Sequence, residues 1–213
     1  MKLLAIFAHP DDESYGPAGT LAWATRNGHE VSLLTLTHGE SGSLGISKFL
    51  SANELAKHRE QELRCAANKL GIRKVMIQNL PDKHLKDLEE QIGINIITRE
   101  IKKFQPDILV TFHENGISGH PDHQTVAQWT LKTIKSFQNS PRLFYFGISP
   151  QQAVMVTFRK LFPIEDKEIT HSINVEDFIS DKIEAIRCHR TQISLWQQFQ
   201  NQAMDFVDRK SVV

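Results

Sequence analysis

Leu3-Leu4-Ala5-Ile6-Phe7-Ala8, followed at once by His9-Pro10-Asp11-Asp12-Glu13, decides how this chain is read. An apolar run over Lys2–Ala8 fits a strand covered on both faces, as strands of parallel sheets are. One imidazole and three carboxylates stand at its exit. In an open α/β sheet, ligands bind beyond the carboxyl ends of strands. A second cluster, His120-Pro121-Asp122-His123, follows the apolar run Ile108-Leu109-Val110-Thr111-Phe112. Two His/Asp clusters behind strands of one sheet can converge on a single metal ion.

Outward from these clusters, strand and helix signals alternate. Ala18–Arg26 reads as a helix closed by Asn27-Gly28. Glu30–Thr37 reads as a strand, followed by a Gly- and Ser-rich loop over His38–Gly45. Ser51 and Glu54 form a capping-box pattern that opens a helix to about Leu70. Lys74–Gln78 is a short strand. Asp87–Phe104 is a helix ended by Pro106, and Asp107–Phe112 the fourth strand. Asp122–Phe137 reads as a helix, Arg142–Ile148 as a strand, Glu168–Val175 as a later strand and Asp177–Thr191 as a helix. Ser149–Asp166 reads as a surface insertion or a lid. Trp196, Phe199 and Phe206 are spaced for one helix face, in the core or at a subunit interface. The alternation predicts a Rossmann-like, doubly wound, mostly parallel α/β sheet with helices on both faces. The 213 residues suit a single domain, 1–213.

Composition narrows the function. Lys plus Arg balance Asp plus Glu at 25 each, so formal net charge is zero. A nucleic-acid partner or an anionic membrane would call for a basic excess. No segment approaches the ~18 apolar residues of a membrane span. The two cysteines, Cys65 and Cys188, fall on separate predicted helices and make neither a disulfide framework nor a metal knuckle. A reducing compartment, the cytoplasm, is the expectation.

A catalytic zinc site usually has three protein ligands and one open position. His9 and Asp12, three apart in a tight turn, can face one point. Asp11 points elsewhere and can face a metal-bound water as general base. His120 and His123 are also three apart, and a helix beginning near Asp122 aims His123 towards the strand ends. Asp122 can accept a hydrogen bond from an imidazole, cap the helix, or both. Glu13 is read as ordering the turn. Arg59, with Glu40, is the candidate substrate-binding pair. Arg59 reads either as a clamp for a hydroxyl or phosphate or as a surface ion pair with Glu60 or Glu62. Gly39, Glu40 and Gly42 read as a mobile loop at the rim of the site. His189 points into the site or packs in a helix interface. His113 is unassigned, and His29, His58, His84 and His171 read as surface or capping residues.

With these residues in view, the chain resembles the LmbE-like or PIG-L family of zinc-dependent N-acetylglucosaminyl deacetylases. Ala8–Glu13 and His120–His123 carry the resemblance. It extends to Gly16–Leu21, Thr37–Gly42, Arg59–Leu63 and His189–Gln192. It implies zinc held by His9, Asp12 and His123, with Asp11 as general base. It further implies that protonated His120 stabilises the tetrahedral intermediate and that Asp122 orients His120. The substrate class implied is a small N-acetylated amino sugar, and relatives often form homo-oligomers. Ala18, His38 and Ser118 depart from residues common in relatives, near where substrate should bind. Fe(II), Co(II) or Mn(II) can occupy similar N/O sites. Two other readings are a nucleotide-binding α/β protein, which lacks its G-x-G-x-x-G, and a non-catalytic metal- or carbohydrate-binding module. A hydrolase of a different amide is the remaining variant.

Overall fold

A computed structural model of the chain describes residues 1–42, 51–201 and 210–212. Five strands form one parallel sheet: β1 (Lys2–Phe7), β2 (Glu30–Thr37), β3 (Lys74–Leu80), β4 (Ile108–Phe112) and β5 (Arg142–Phe146). Their order is β3-β2-β1-β4-β5. The helices are α1 (Asp12–Tyr15), α2 (Ala18–Arg26), α3 (Ala52–Lys69), α4 (Glu90–Phe104), α5 (Gly116–Gly119), α6 (Pro121–Lys135), α7 (Pro150–Met155), α8 (Ile179–Cys188) and α9 (Ile193–Asn201). α8 packs against α2 and α3, and α4 packs against α6, the two groups that right-handed crossovers place on opposite faces of such a sheet. The doubly wound expectation is met.

The strand order dictates where a site can form. The chain runs from β1 outward through β2 and β3, then returns to β4 on β1's other side. Connections leave β1 and β4 in opposite directions, opening a crevice at their carboxyl ends. β1 lies at the centre, with Leu4, Ala5, Ile6 and Phe7 fully buried. Both sequence clusters emerge at that crevice.

The local signals explain most boundaries. Ser51 caps α3 in a complete capping box with Glu54. α4 ends with Gln105 in the left-handed region, just before Pro106. Gly93 lets the Trp129 ring of α6 lie directly on α4, where any Cβ would collide with the indole. That contact fixes the helix whose first turn carries Asp122 and His123.

Three expectations change. The later strand is only Ser172–Asn174 (β6), and it pairs antiparallel with β7 (Lys210–Val212) outside the main sheet. A 3₁₀ turn at Asp166–Glu168 consumes the start of the expected strand. Second, Cys65 and Cys188 are joined by a disulfide, with Cα atoms 5.8 Å apart. Packing of α3 on α8 brings the two cysteines together, so they give no support to a reducing compartment; disulfides are rare in cytosolic proteins. Third, Ser149–Asp166 is not a free insertion. Phe162 N–H donates to Ile117 O at 2.7 Å and Ile164 N–H to Ile148 O at 2.8 Å, with Val156 and Ile164 buried. The packing expected of Trp196, Phe199 and Phe206, and the Ser43–Gly45 end of the Gly/Ser loop, fall outside what is described. Among the described residues, no helix is long and apolar enough to cross a membrane.

Candidate metal centre and active site

Beyond β1 the chain turns sharply. His9 N–H donates to Asp12 Oδ2 at 2.8 Å, and Asp11 adopts φ 121°, ψ −24° as α1 begins. This places Asp11 and Asp12 on different sides of the turn. Asp12 faces the imidazoles: its Oδ1 is 3.1 Å from His123 Nε2, and its Oδ2 is 3.5 Å from His9 Nδ1. Burial raises the Asp12 pKa, but the adjacent His123 and His9 overcome this and hold it well below the usual carboxylate range.

His123 comes from the first turn of α6. Its Nδ1 lies 3.1 Å from Gly116 O, which assigns the ring proton to Nδ1 and leaves an Nε2 lone pair facing Asp12. Its ring stacks flat on Phe112, 3.9 Å between centroids. His9 is arranged in the opposite sense. Its Nε2 lies 3.1 Å from both Asp82 Oδ1 and Asp122 Oδ2, leaving Nδ1 turned to Asp12. Burial lowers the His9 pKa, yet its bonds to Asp12, Asp122 and Asp82 raise it well above the ordinary value.

His120 caps α6, its Nδ1 accepting the Asp122 N–H at 3.2 Å. Its ring is 4.8 Å from those of both His9 and His123. One ring nitrogen from each of His9, His120 and His123 falls within 4.8 Å of the others. Burial, then the neighbouring His123 and His9, push the His120 pKa down to about 4. With Nδ1 accepting, the neutral ring carries its proton on Nε2.

Asp122 accepts from an imidazole as the sequence allowed, but the imidazole is that of His9. His120, not Asp122, caps the helix, and the Asp122 carboxylate turns to His9 rather than to His120. It accepts from Lys83 N–H at 2.7 Å and Leu85 N–H at 3.2 Å as well. It is fully buried. The second carboxylate on His9, Asp82, was not singled out from sequence. Its signal was available: Asp82 stands just past the exit of β3, the kind of position that marked the other two clusters.

Asp11 is enclosed. Burial, then the charge of Asp12, raise its pKa to about 6, against the opposing pull of Arg59, His189 and His9. Arg59 is 2% exposed, so the surface ion-pair reading fails. Glu60 pairs with Arg64 instead, and Glu62 binds Thr191. The guanidinium lies where Cβ atoms would stand on Gly39 and Gly42. Gly39, at φ 67°, turns the loop over it. That loop is pinned rather than loose, since Ser41 N–H donates to Asp82 Oδ2 at 2.9 Å. Glu40 supports the same turn, its Oε1 accepting the Asp82 N–H at 2.9 Å. Glu13 orders the turn as expected: its Oε2 accepts the Asp11 N–H at 3.1 Å.

His189 is buried 2.7 Å from Glu13, on the inner side of the site. His113 stays out of the cluster, bonded to Phe146 O and Asn115 N. His29, His84 and His171 make local contacts, and His58 is exposed. A cavity of about 120 Å³ opens beside Asp12 and His123, walled by Phe112, Ile117 and Phe146, with Ser118 and the 149–166 segment on its rim.

Fold and site define a class: a parallel α/β protein with a His/His/Asp pocket at its topological switch point and a separate, half-buried carboxylate beside it. The chain belongs to the family described as PIG-L, GlcNAc-PI de-N-acetylase, which it matches over residues 4–134. It is 28% identical over 233 residues to a 1D-myo-inositol 2-acetamido-2-deoxy-alpha-D-glucopyranoside deacetylase of Actinosynnema mirum, covering 92% of this chain and 82% of that protein. It is also 28% identical over 193 residues to a probable N-acetyl-alpha-D-glucosaminyl L-malate deacetylase of Bacillus subtilis, covering 89% of this chain and 82% of that protein. The N,N'-diacetylchitobiose deacetylase of Pyrococcus horikoshii has the same fold, with a TM-score of 0.71 at 24% identity, over 94% of this chain and 74% of that one.

Proposed function

We propose that this enzyme hydrolyses the N-acetyl group of a small N-acetylglucosaminyl conjugate, using a divalent metal held by His9, Asp12 and His123. One observation carries the reading. Each histidine has one ring nitrogen tied to a carboxylate or carbonyl partner and the other turned to Asp12. That is how ligand imidazoles are fixed for a cation. The set is borderline, two nitrogens and one carboxylate oxygen, and suits zinc best; Fe(II) fits the same donors. The metal, when bound, supplies Lewis acidity and lowers the pKa of coordinated water towards ~7.

The rest of the chemistry belongs to the side chains. Asp11 is held off the ligand set by its own backbone turn, and its pKa of about 6 lets it accept a proton near neutrality. His120 offers Nε2–H to the developing oxyanion as a neutral donor. Removal of one such donor typically costs ~10²–10³ in turnover. Arg59, buried within electrostatic reach of Asp11 and Asp82, favours the ionised form of both carboxylates. The aromatic-walled cavity beside Asp12 and His123 suits a small acyl methyl. The amino-sugar class rests on the names of the relatives and on the family. The test is Asp11→Asn: it should bind one zinc per chain with unchanged affinity and lose turnover of N-acetylglucosaminyl substrates. Turnover near that of the parent enzyme would remove the base assignment.

A further inference from the structure

We propose that His189, acting through Glu13, is a positioning residue that holds Asp11 in its catalytic conformation. The inference rests on Asp11 being the base. His189 lies outside the matched residues 4–134, on a turn that begins as α8 ends.

Asp11 is strained, with φ 121° in a region that side chains rarely adopt. Such a backbone persists only where its surroundings over-determine it. Here Asp11 O accepts from Ser14 N–H and Tyr15 N–H at 3.0 and 2.9 Å, and Asp11 N–H donates to Glu13 Oε2. Glu13 is therefore one of the groups that set the backbone of Asp11. Glu13 is 0% exposed, and its other oxygen accepts from Ser14 Oγ at 2.5 Å and His189 Nε2 at 2.7 Å. Three donors satisfy one buried carboxylate. Without the imidazole, Glu13 Oε1 keeps only the Ser14 hydroxyl, and the buried carboxylate loses the long-range anchor that holds it against the Asp11 N–H.

The imidazole is itself fixed from the far side. Cys188, its neighbour, is tied to Cys65 of α3. Thr191, two residues on, gives its N–H and Oγ1–H to Glu62 of α3 at 2.9 and 2.7 Å. Two attachments to one helix thus bracket His189. The same helix supplies Arg59. α3 therefore sets both the charge facing Asp11 and, through His189 and Glu13, the backbone that carries it. Nδ1 of His189 is buried without a partner among the described residues, so the Nε2 bond to Glu13 is the hydrogen bond that the imidazole contributes.

The experiment compares His189→Leu, His189→Gln and His189→Asn in the full chain. Gln places its donor where Nε2 stands; Asn places it where Nδ1 stands. His189→Leu and His189→Asn should lower kcat about 100-fold with KM nearly unchanged, as a misplacement of about 1 Å in a catalytic group does. His189→Gln should recover most of the loss. Hydrogen exchange at the Asp11 amide, measured without metal, should be slow in the parent and in His189→Gln and fast in the other two. If His189→Leu does not fold, His189→Asn carries the comparison. A folded His189→Asn with parent kcat overturns the inference. So does a folded His189→Gln as slow as His189→Asn, since shape rather than the donor would then matter. Asp11→Asn is assayed alongside. If that variant turns over normally, the base assignment falls, while the exchange experiment still decides whether His189 holds Asp11.

Discussion

Replacing Asp82 by Asn removes one of the two carboxylates on His9 while keeping its size. The geometry sets the consequence. His9 Nε2 lies 3.1 Å from Asp82 Oδ1 and 3.1 Å from Asp122 Oδ2, which leaves only Nδ1 for the proposed metal. Those carboxylates fix the ring orientation and make Nδ1 more basic. Losing one such partner typically weakens metal binding 10–100-fold, or about 1.4–2.8 kcal/mol. Asp122→Asn should cost more. Its carboxylate also accepts from Lys83 N–H and Leu85 N–H, so an amide there would set a donor against a donor in a fully buried place. An unmatched buried polar group costs about 1–3 kcal/mol of folding stability in addition. Zinc affinity is read by competition with a metallochromic chelator, and stability by thermal melting. Asp82→Asn should shift affinity and lower melting less than Asp122→Asn, whose carboxylate takes one donor more. Parent zinc affinity in Asp82→Asn would refute the idea that carboxylates tune His9.

Other consequences are as direct. Gly39→Ala puts a side chain at φ 67° and against Arg59 Nη1; the left-handed conformation alone costs about 1–2 kcal/mol, and displacing the guanidinium should lower kcat/KM. Unchanged melting and unchanged kcat/KM would show that the loop does not depend on Arg59. Reducing Cys65–Cys188 opens a sequence separation of 123 residues. Removal of such a link typically costs about 2–4 kcal/mol, or roughly 4–16 °C in Tm for a chain of this size; identical melts with and without dithiothreitol would contradict the disulfide.

Much of this was legible in the sequence because local chemistry and fold agree. The uniform apolar run of β1 could only be buried on both faces, and the turn chemistry after it had to emerge at the carboxyl end of the sheet. Ser51/Glu54 and Pro106 fixed helix ends by capping and by a missing N–H. What was hidden depends on contacts distant in sequence. Cys65 and Cys188 meet only because α3 packs on α8. The turning of Asp122 towards His9 follows from β3's exit lying beside the crevice, which brings Asp82, Lys83 and Leu85 around the same carboxylate. Arg59 looked like one more charge on a polar helix. Its burial follows from two glycines of another loop that leave room for it. The role of His189 needed 176 residues of separation to close onto Glu13.

The measurement that bears most directly on the central claim is amine release from N-acetylglucosaminyl conjugates by metal-stripped protein, before and after one equivalent of Zn²⁺ or Fe²⁺. No release without metal, and release restored by it in the parent but not in Asp11→Asn, is the expected result. Tight binding of one metal ion with no amine released from any such conjugate would contradict the assigned reaction, and failure to bind metal at all would contradict the site.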